Sequence, residues 1–126
     1  MSKQSVTLWH NPRCSKSREA LQLLSDRLGA DAIQVREYLK QAPSKAVVEA
    51  LLKALSAGDA DFKPHDVLRS KEPGYKKLGL SKTASKAQIV AALVKDPSIL
   101  ERPVLVVDDK ARIGRPPERV LELLES

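Results

Sequence analysis

The chain predicts an α/β domain built on a mixed sheet, and three observations carry that expectation. An apolar strand leads into an amphipathic helix and then into a second strand between residues 6 and 38; helical periodicity fills about 43–97; a β-branched hairpin and a last helix close the chain. Strand, helix, strand in that order implies a parallel pair joined by a right-handed crossover. The hairpin is antiparallel, so the sheet has to be mixed. At 126 residues the chain can enclose one core, and a single domain over 1–126 is expected, with the helical insertion at about 43–97.

Val6-Thr7-Leu8-Trp9 is a short apolar run stopped by the turn signal Asn11-Pro12, which reads as a buried strand. A helix follows Cys14. Ala20, Leu21, Leu24 and Leu28 recur at helical spacing, and Gly29 marks the stop. Ile33 to Tyr38 alternates as a second strand. Ser44 is placed to cap a helix running to about Leu55, with Val47, Val48, Leu51, Leu52 and Leu55 on its apolar face, before a break at Gly58-Asp59. A short segment, Asp66 to Arg69, precedes a turn at Glu72-Pro73-Gly74. Ser85 and Gln88 form a capping-box signature opening a helix through Ile89, Val90, Leu93 and Val94, ended by Asp96-Pro97. Val104 to Val107, the turn Asp108-Asp109-Lys110, and Ala111 to Ile113 make the hairpin. Pro116 and Pro117 then suit the start of a last helix carrying Val120, Leu121, Leu123 and Leu124.

Lys and Arg outnumber Asp and Glu by 22 to 16, a formal charge of +6. A nucleic-acid partner is not expected. The basic residues are scattered and interleaved with acids, and Trp9, Tyr38, Phe62 and Tyr75 supply no stacking platform. A small anion suits the charge better. No apolar run approaches membrane-spanning length, and Met1 to Gln4 lead into strand-like sequence without a signal-peptide core, so a cytoplasmic protein without a membrane partner is expected. No bound cofactor and no metal are expected either.

Cys14 is the only cysteine, and it stands where the first strand gives way to the first helix. A helix N-terminus presents unpaired N–H groups and the positive end of the macrodipole, which favour both a thiolate and a bound anion. An ordinary thiol of pKa ~8.5 is only ~3% ionised at pH 7, so such assistance matters. Arg13, Lys16, Arg18 and His10 add local positive charge or hydrogen bonding. A lone cysteine cannot close an internal disulfide. Any oxidised Cys14 therefore needs an external thiol to resolve it.

The order βαβ, helical insertion, ββα is that of a thioredoxin-like domain with extra helices, and the motifs go further. His10-Asn11-Pro12-x-Cys14-x-x-Ser17-Arg18, Leu68-Arg69 with Glu72-Pro73-x-Tyr75-x-x-Leu78-Gly79-Leu80, Ile99-Leu100-x-Arg102-Pro103, and Arg115-Pro116 occur in that order. In these blocks the chain resembles the glutaredoxin-coupled arsenate reductase family, from Leu8 to about Leu124. The resemblance implies that Cys14 is the nucleophile, that Arg69, Arg102 and Arg115 hold the oxyanion, and that the Arg102–Pro103 bond is cis, with Pro103 beside the cysteine. His10 and Ser17 enter as supporting residues, Ser17 as a hydrogen-bond donor to the thiolate.

Guanidinium forks suit a tetrahedral oxyanion, because they donate two charge-assisted hydrogen bonds in one plane. The implied reaction is reduction of arsenate, or a similar oxyanion, through a Cys14 adduct. Glutathione is the implied co-substrate and glutaredoxin the implied partner. The sequence departs from the family's well-studied members in carrying Ser15-Lys16 where they have small residues, typically Gly-Thr. Two alternatives stay open: a redox-related regulator that binds RNA polymerase, and a glutathione-dependent thiol oxidoreductase acting on another small anionic substrate. The same fold serves more than one role.

Overall fold

The computed structural model describes residues 5–125; Met1 to Gln4, expected to lead straight into the first strand, lie outside the described residues, as does Ser126. Four strands form one sheet: β1 (Val6–Trp9), β2 (Gln34–Arg36), β3 (Val104–Val107) and β4 (Lys110–Ile113), in the spatial order β2-β1-β3-β4. β1 runs parallel to β2, with Leu8 opposite Val35, and antiparallel to β3, with Leu8 opposite Leu105. β3 and β4 are the expected hairpin. The sheet is therefore mixed, as the thioredoxin-like order requires.

Alternation along β1 and β3 divides the apolar residues between two faces. Val6, Leu8, Leu105 and Val107 pack with Ala20 and Leu24 of α1 (Ser15–Leu28) and with Val120 and Leu123 near the C-terminus. Trp9 and Val104 pack instead with α2 (Lys45–Gly58) and α4 (Lys86–Lys95). Tyr38, Leu52, Leu55, Ile89 and Leu93 are almost completely buried there, each worth about 1.5–3 kcal/mol of apolar burial for a large side chain. The inserted helices thus build a second core rather than decorate the surface.

The caps are as the sequence predicts. The Ser44 hydroxyl accepts from Val47 N–H at 3.3 Å. Ser85 and Gln88 close a reciprocal capping box at 3.2 and 2.8 Å. Gly29 ends α1 at φ 87°, where its N–H reaches the Ser25 carbonyl. Gly58 ends α2 against the hairpin; a Cβ built there would collide with the Ala111 carbonyl oxygen, so only glycine permits this approach.

Several expectations are corrected. The second strand stops at Arg36 because β1 has no residue left to pair beyond Trp9. A turn with its hydrogen bonds on the Glu37 carbonyl follows, and it turns Tyr38 into the core. α2 continues three residues past Leu55. The Glu72-Pro73-Gly74 turn is the start of a short helix, α3 (Pro73–Lys77), with proline at a position where its missing N–H leaves no orphan. Leu28 and Val94 are each 36% exposed, and Ser17 takes a buried place on the inner stripe of α1. The last segment, Pro117–Glu125, is a 3-10 helix, whose threefold repeat lets Val120 and Leu123 bury together.

Candidate active site

The site is assembled by three segments meeting at the N-terminus of α1. Cys14 is the N-cap residue, with extended backbone (φ −93°, ψ 122°), and its side chain makes no cap hydrogen bond. The loop before it is held by Asn11, whose carbonyl accepts from Cys14 N–H at 3.0 Å while its side-chain oxygen accepts from Arg13 N–H at 3.0 Å. Arg18 Nη1 donates to the Pro12 carbonyl at 2.9 Å and closes the loop from the helix side.

Arg69 and Arg102 are brought together by an isolated antiparallel bridge between Leu68 and Leu100. Arg69 N–H donates to the Ile99 carbonyl at 2.7 Å, and Glu101 N–H donates to the Val67 carbonyl at 2.6 Å. Arg115 arrives from the end of the hairpin: Gly114 N–H donates to the Pro103 carbonyl at 2.8 Å, and Arg115 Nε donates to the Arg102 carbonyl at 2.9 Å. The Arg102–Pro103 bond is cis, as the resemblance implied, and Arg115–Pro116 is cis as well.

Arg115 Nη2 stands 3.7 Å from Cys14 Sγ. Arg102 also acts on the sulfur, by hydrogen bonding and by charge. Its side chain is 15% exposed against 34% for Arg115, so its field is less screened by water and it exerts the larger electrostatic effect. Burial pushes the Cys14 thiol up; the Ser17 N–H, the Arg102 guanidinium and the Lys16 N–H outweigh it and hold the thiol below its ordinary value. The two N–H groups belong to the first turn of α1, the orphan donors of a helix start.

That depression is measurable. Alkylation of Cys14 by iodoacetamide is expected to titrate at a lower pH in the folded protein than in the urea-unfolded chain; equal midpoints would remove the activation. Because the folded-state pKa is the lower one, ionisation of Cys14 stabilises the fold fully above the unfolded-state pKa. This contribution is lost as pH falls through the folded value.

The supporting residues sit differently from their expected roles. The Ser17 side chain is fully buried: its hydroxyl accepts from Asn11 N–H at 3.1 Å and shares a hydrogen bond of 2.7 Å with His10 Nδ1. Ser17 meets the thiol through its backbone N–H instead. His10 is also buried, and burial is the main cause that lowers its pKa, with Glu37 opposing and Arg18 adding to the shift. It therefore anchors the Cys14 loop as a neutral imidazole, and its contact is with Ser17. His65 lies apart from the cluster and hydrogen-bonds the Tyr75 hydroxyl at 2.7 Å.

Three further residues belong to the site. Glu101 Oε1 lies 2.8 Å from Arg69 Nη1 and 3.2 Å from Arg115 Nε, and it accepts from Arg102 N–H at 3.2 Å. Glu72 Oε1 lies 3.4 Å from Arg69 Nε and 3.6 Å from Arg102 Nη1. The Tyr38 hydroxyl is buried near Arg102 and Cys14, and burial pushes its pKa up to about 12, so it stays protonated. The adjacency of Glu101 to Arg102-Pro103, and of Glu72 to Pro73, was the available sequence signal. A cleft of about 480 Å³ opens beside the cluster, lined by Pro12, Arg13, Leu39, Lys40, Glu72 and Arg102 among others.

A family model described as the ArsC family matches residues 9–123. The chain is similar to an arsenate reductase of Haemophilus influenzae, 39% identical over 121 residues that span 95% of this chain and 99% of that protein. It is similar also to an Escherichia coli protein named as uncharacterized, YfgD, at 43% identity over 125 residues, 98% of this chain and 99% of that one. Among solved structures, an arsenate reductase from Vibrio cholerae superposes with a TM-score of 0.83 at 39% identity, covering 96% of this chain and 98% of that chain.

Proposed function

This chain belongs to the ArsC family, and on that footing we propose that it is an arsenate reductase using Cys14 as its nucleophile. The observation that carries the reading is the cluster of Arg69, Arg102 and Arg115, joined through Glu72 and Glu101, of which Arg102 and Arg115 reach one lowered-pKa thiol at a helix start. Arsenate is bound by the guanidinium groups, whose fixed donors offset the charge of its oxygens as the reaction proceeds. The thiolate attacks arsenic, an arsenate hydroxyl takes a proton from solvent and leaves as water as its As–O bond breaks, and an S–As bond forms with arsenic still in the +5 state.

A glutathione thiolate then attacks Cys14 Sγ. The S–S bond forms as the S–As bond breaks, and the electron pair of that bond stays on arsenic, which leaves as arsenite in the +3 state. The two thiols have supplied the two electrons. A glutaredoxin thiol next attacks the glutathione sulfur of the mixed disulfide, and Cys14 departs as thiolate, a leaving group favoured by its low pKa. We assign the 480 Å³ cleft lined by Arg13, Lys40 and Arg102 as the approach for the second thiol. This chemistry needs a pool of reduced glutathione, which places the protein in the cytoplasm.

The test is arsenite production by the purified protein with arsenate, glutathione and glutaredoxin. Turnover that requires all three supports the scheme. Turnover sustained without glutathione or glutaredoxin would retain the reductase and refute its thiol coupling; no arsenite from protein with reactive Cys14 would refute the reductase reading itself.

A further inference from the structure

The arginine cluster is already occupied by carboxylates of the protein itself. Glu101 Oε1 meets Arg69 Nη1, Arg115 Nε and Arg102 N–H, and Glu72 Oε1 meets Arg69 Nε and Arg102 Nη1. These two acids leave the three guanidinium groups with one unit of positive charge in excess, and the Cys14 thiolate cancels it. Both glutamates are about three-quarters buried, at 23% and 27% exposure. Their charges therefore act on an incoming anion with less screening than surface acids have.

From this arrangement we infer that Glu101 is a specificity-determining residue of the anion site, which sets the charge of the oxyanion accepted by favouring a monoanion over a dianion. The inference rests on the reading of the cluster as an oxyanion site, and it concerns which protonation form is bound. Glu101 engages the Nε edge of Arg115 and the Nη1 of Arg69, while Arg115 Nη2, 3.7 Å from the sulfur, is the donor an anion held at Cys14 would meet. The ligand then lies a few ångströms from a fixed carboxylate. Each extra negative charge on the ligand is opposed by that carboxylate, and shape alone does not relieve the opposition. Removing the carboxylate charge should therefore change the relative affinity of two tetrahedral ions of unlike charge. A residue that merely braced the arginines would affect both ions alike.

Sulfate and perchlorate provide that comparison, since both are tetrahedral and their charges, two and one, do not change with pH in the neutral range. Their affinities are read from the protection each gives Cys14 against iodoacetamide, which requires no turnover and so stands apart from the arsenate assay. Removal of the charge by Glu101→Gln is expected to raise the sulfate-to-perchlorate affinity ratio about tenfold, equivalent to ~1.4 kcal/mol, with Glu101→Asp near the unsubstituted ratio. Protection by sulfate that emerges only in Glu101→Gln supports the inference equally. An unchanged ratio, a parallel loss for both ions, or no protection by either ion in any variant overturns it. Thermal unfolding of each variant identifies the folded ones, and if Glu101→Gln does not fold, a ratio unchanged in Glu72→Gln overturns the charge argument.

Discussion

Cys14→Ser should abolish arsenite formation, by more than about 10⁴-fold, the scale on which loss of a nucleophile is felt. A serine hydroxyl has the same reach but is not ionised at neutral pH, and the Ser17 N–H, Arg102 and Lys16 N–H that hold down the Cys14 pKa act too weakly to ionise an alcohol. The chain has no second cysteine to substitute. Misfolding is not an available explanation for the loss. Cys14 occupies the N-cap of α1, and serine is among the preferred N-cap residues. Below the folded-state pKa of Cys14, where the thiolate adds no stability, the variant should therefore unfold at the same temperature as the unsubstituted protein or somewhat higher, consistent with the roughly 0.5–2 kcal/mol that a cap contributes. Arsenite formation and thermal unfolding measured on one preparation check both halves of the expectation. Residual turnover from a folded Cys14→Ser protein would require a mechanism without a sulfur adduct.

The order of elements was legible because it depends on local pattern: alternation in β1 and β3, helical spacing in α1, α2 and α4, and the cap residues Ser44, Ser85 and Gln88. Their lengths were less so. Whether residues 37–38 continue β2 is decided by what β1 can pair with, and that is a property of another segment. Cys14 was legible for the same local reason as the helices, since the helix start that assists it is read from adjacent residues. The arginines were recoverable only through resemblance, because their meeting depends on the Leu68–Leu100 bridge and on the Gly114 and Pro103 contact. Glu72 stood in a motif without a role, and Glu101 and Tyr38 were not singled out, since a carboxylate or a tyrosine near an arginine in sequence acquires a partner only once the guanidinium groups are in place. Ser17 shows the opposite error. The resemblance implies a side-chain donor, whereas the hydroxyl is paired with His10 and Asn11, and it is the N–H of the same residue that lowers the Cys14 pKa.

Arg102 carries the second large expectation, because three demands fall on one side chain: it lowers the Cys14 pKa, pairs with Glu72, and lies near the buried Tyr38 hydroxyl. Arg102→Ala should reduce kcat/KM about 10²–10³-fold, the range found when a preorganised donor to a developing charge is removed. The pH midpoint of Cys14 alkylation should rise in the same variant, as the sulfur loses both a hydrogen bond and a cation. Arg102→Lys separates these contributions. An ammonium keeps the charge but lacks the planar fork, so it should restore much of the alkylation midpoint while leaving kcat/KM well below that of arginine. If lysine restored both, charge alone would explain the residue. If alanine altered neither, Arg115, which is nearer the surface yet 3.7 Å from the sulfur, would have to hold the anion with Arg69, and the asymmetry drawn between the two guanidinium groups would be reversed.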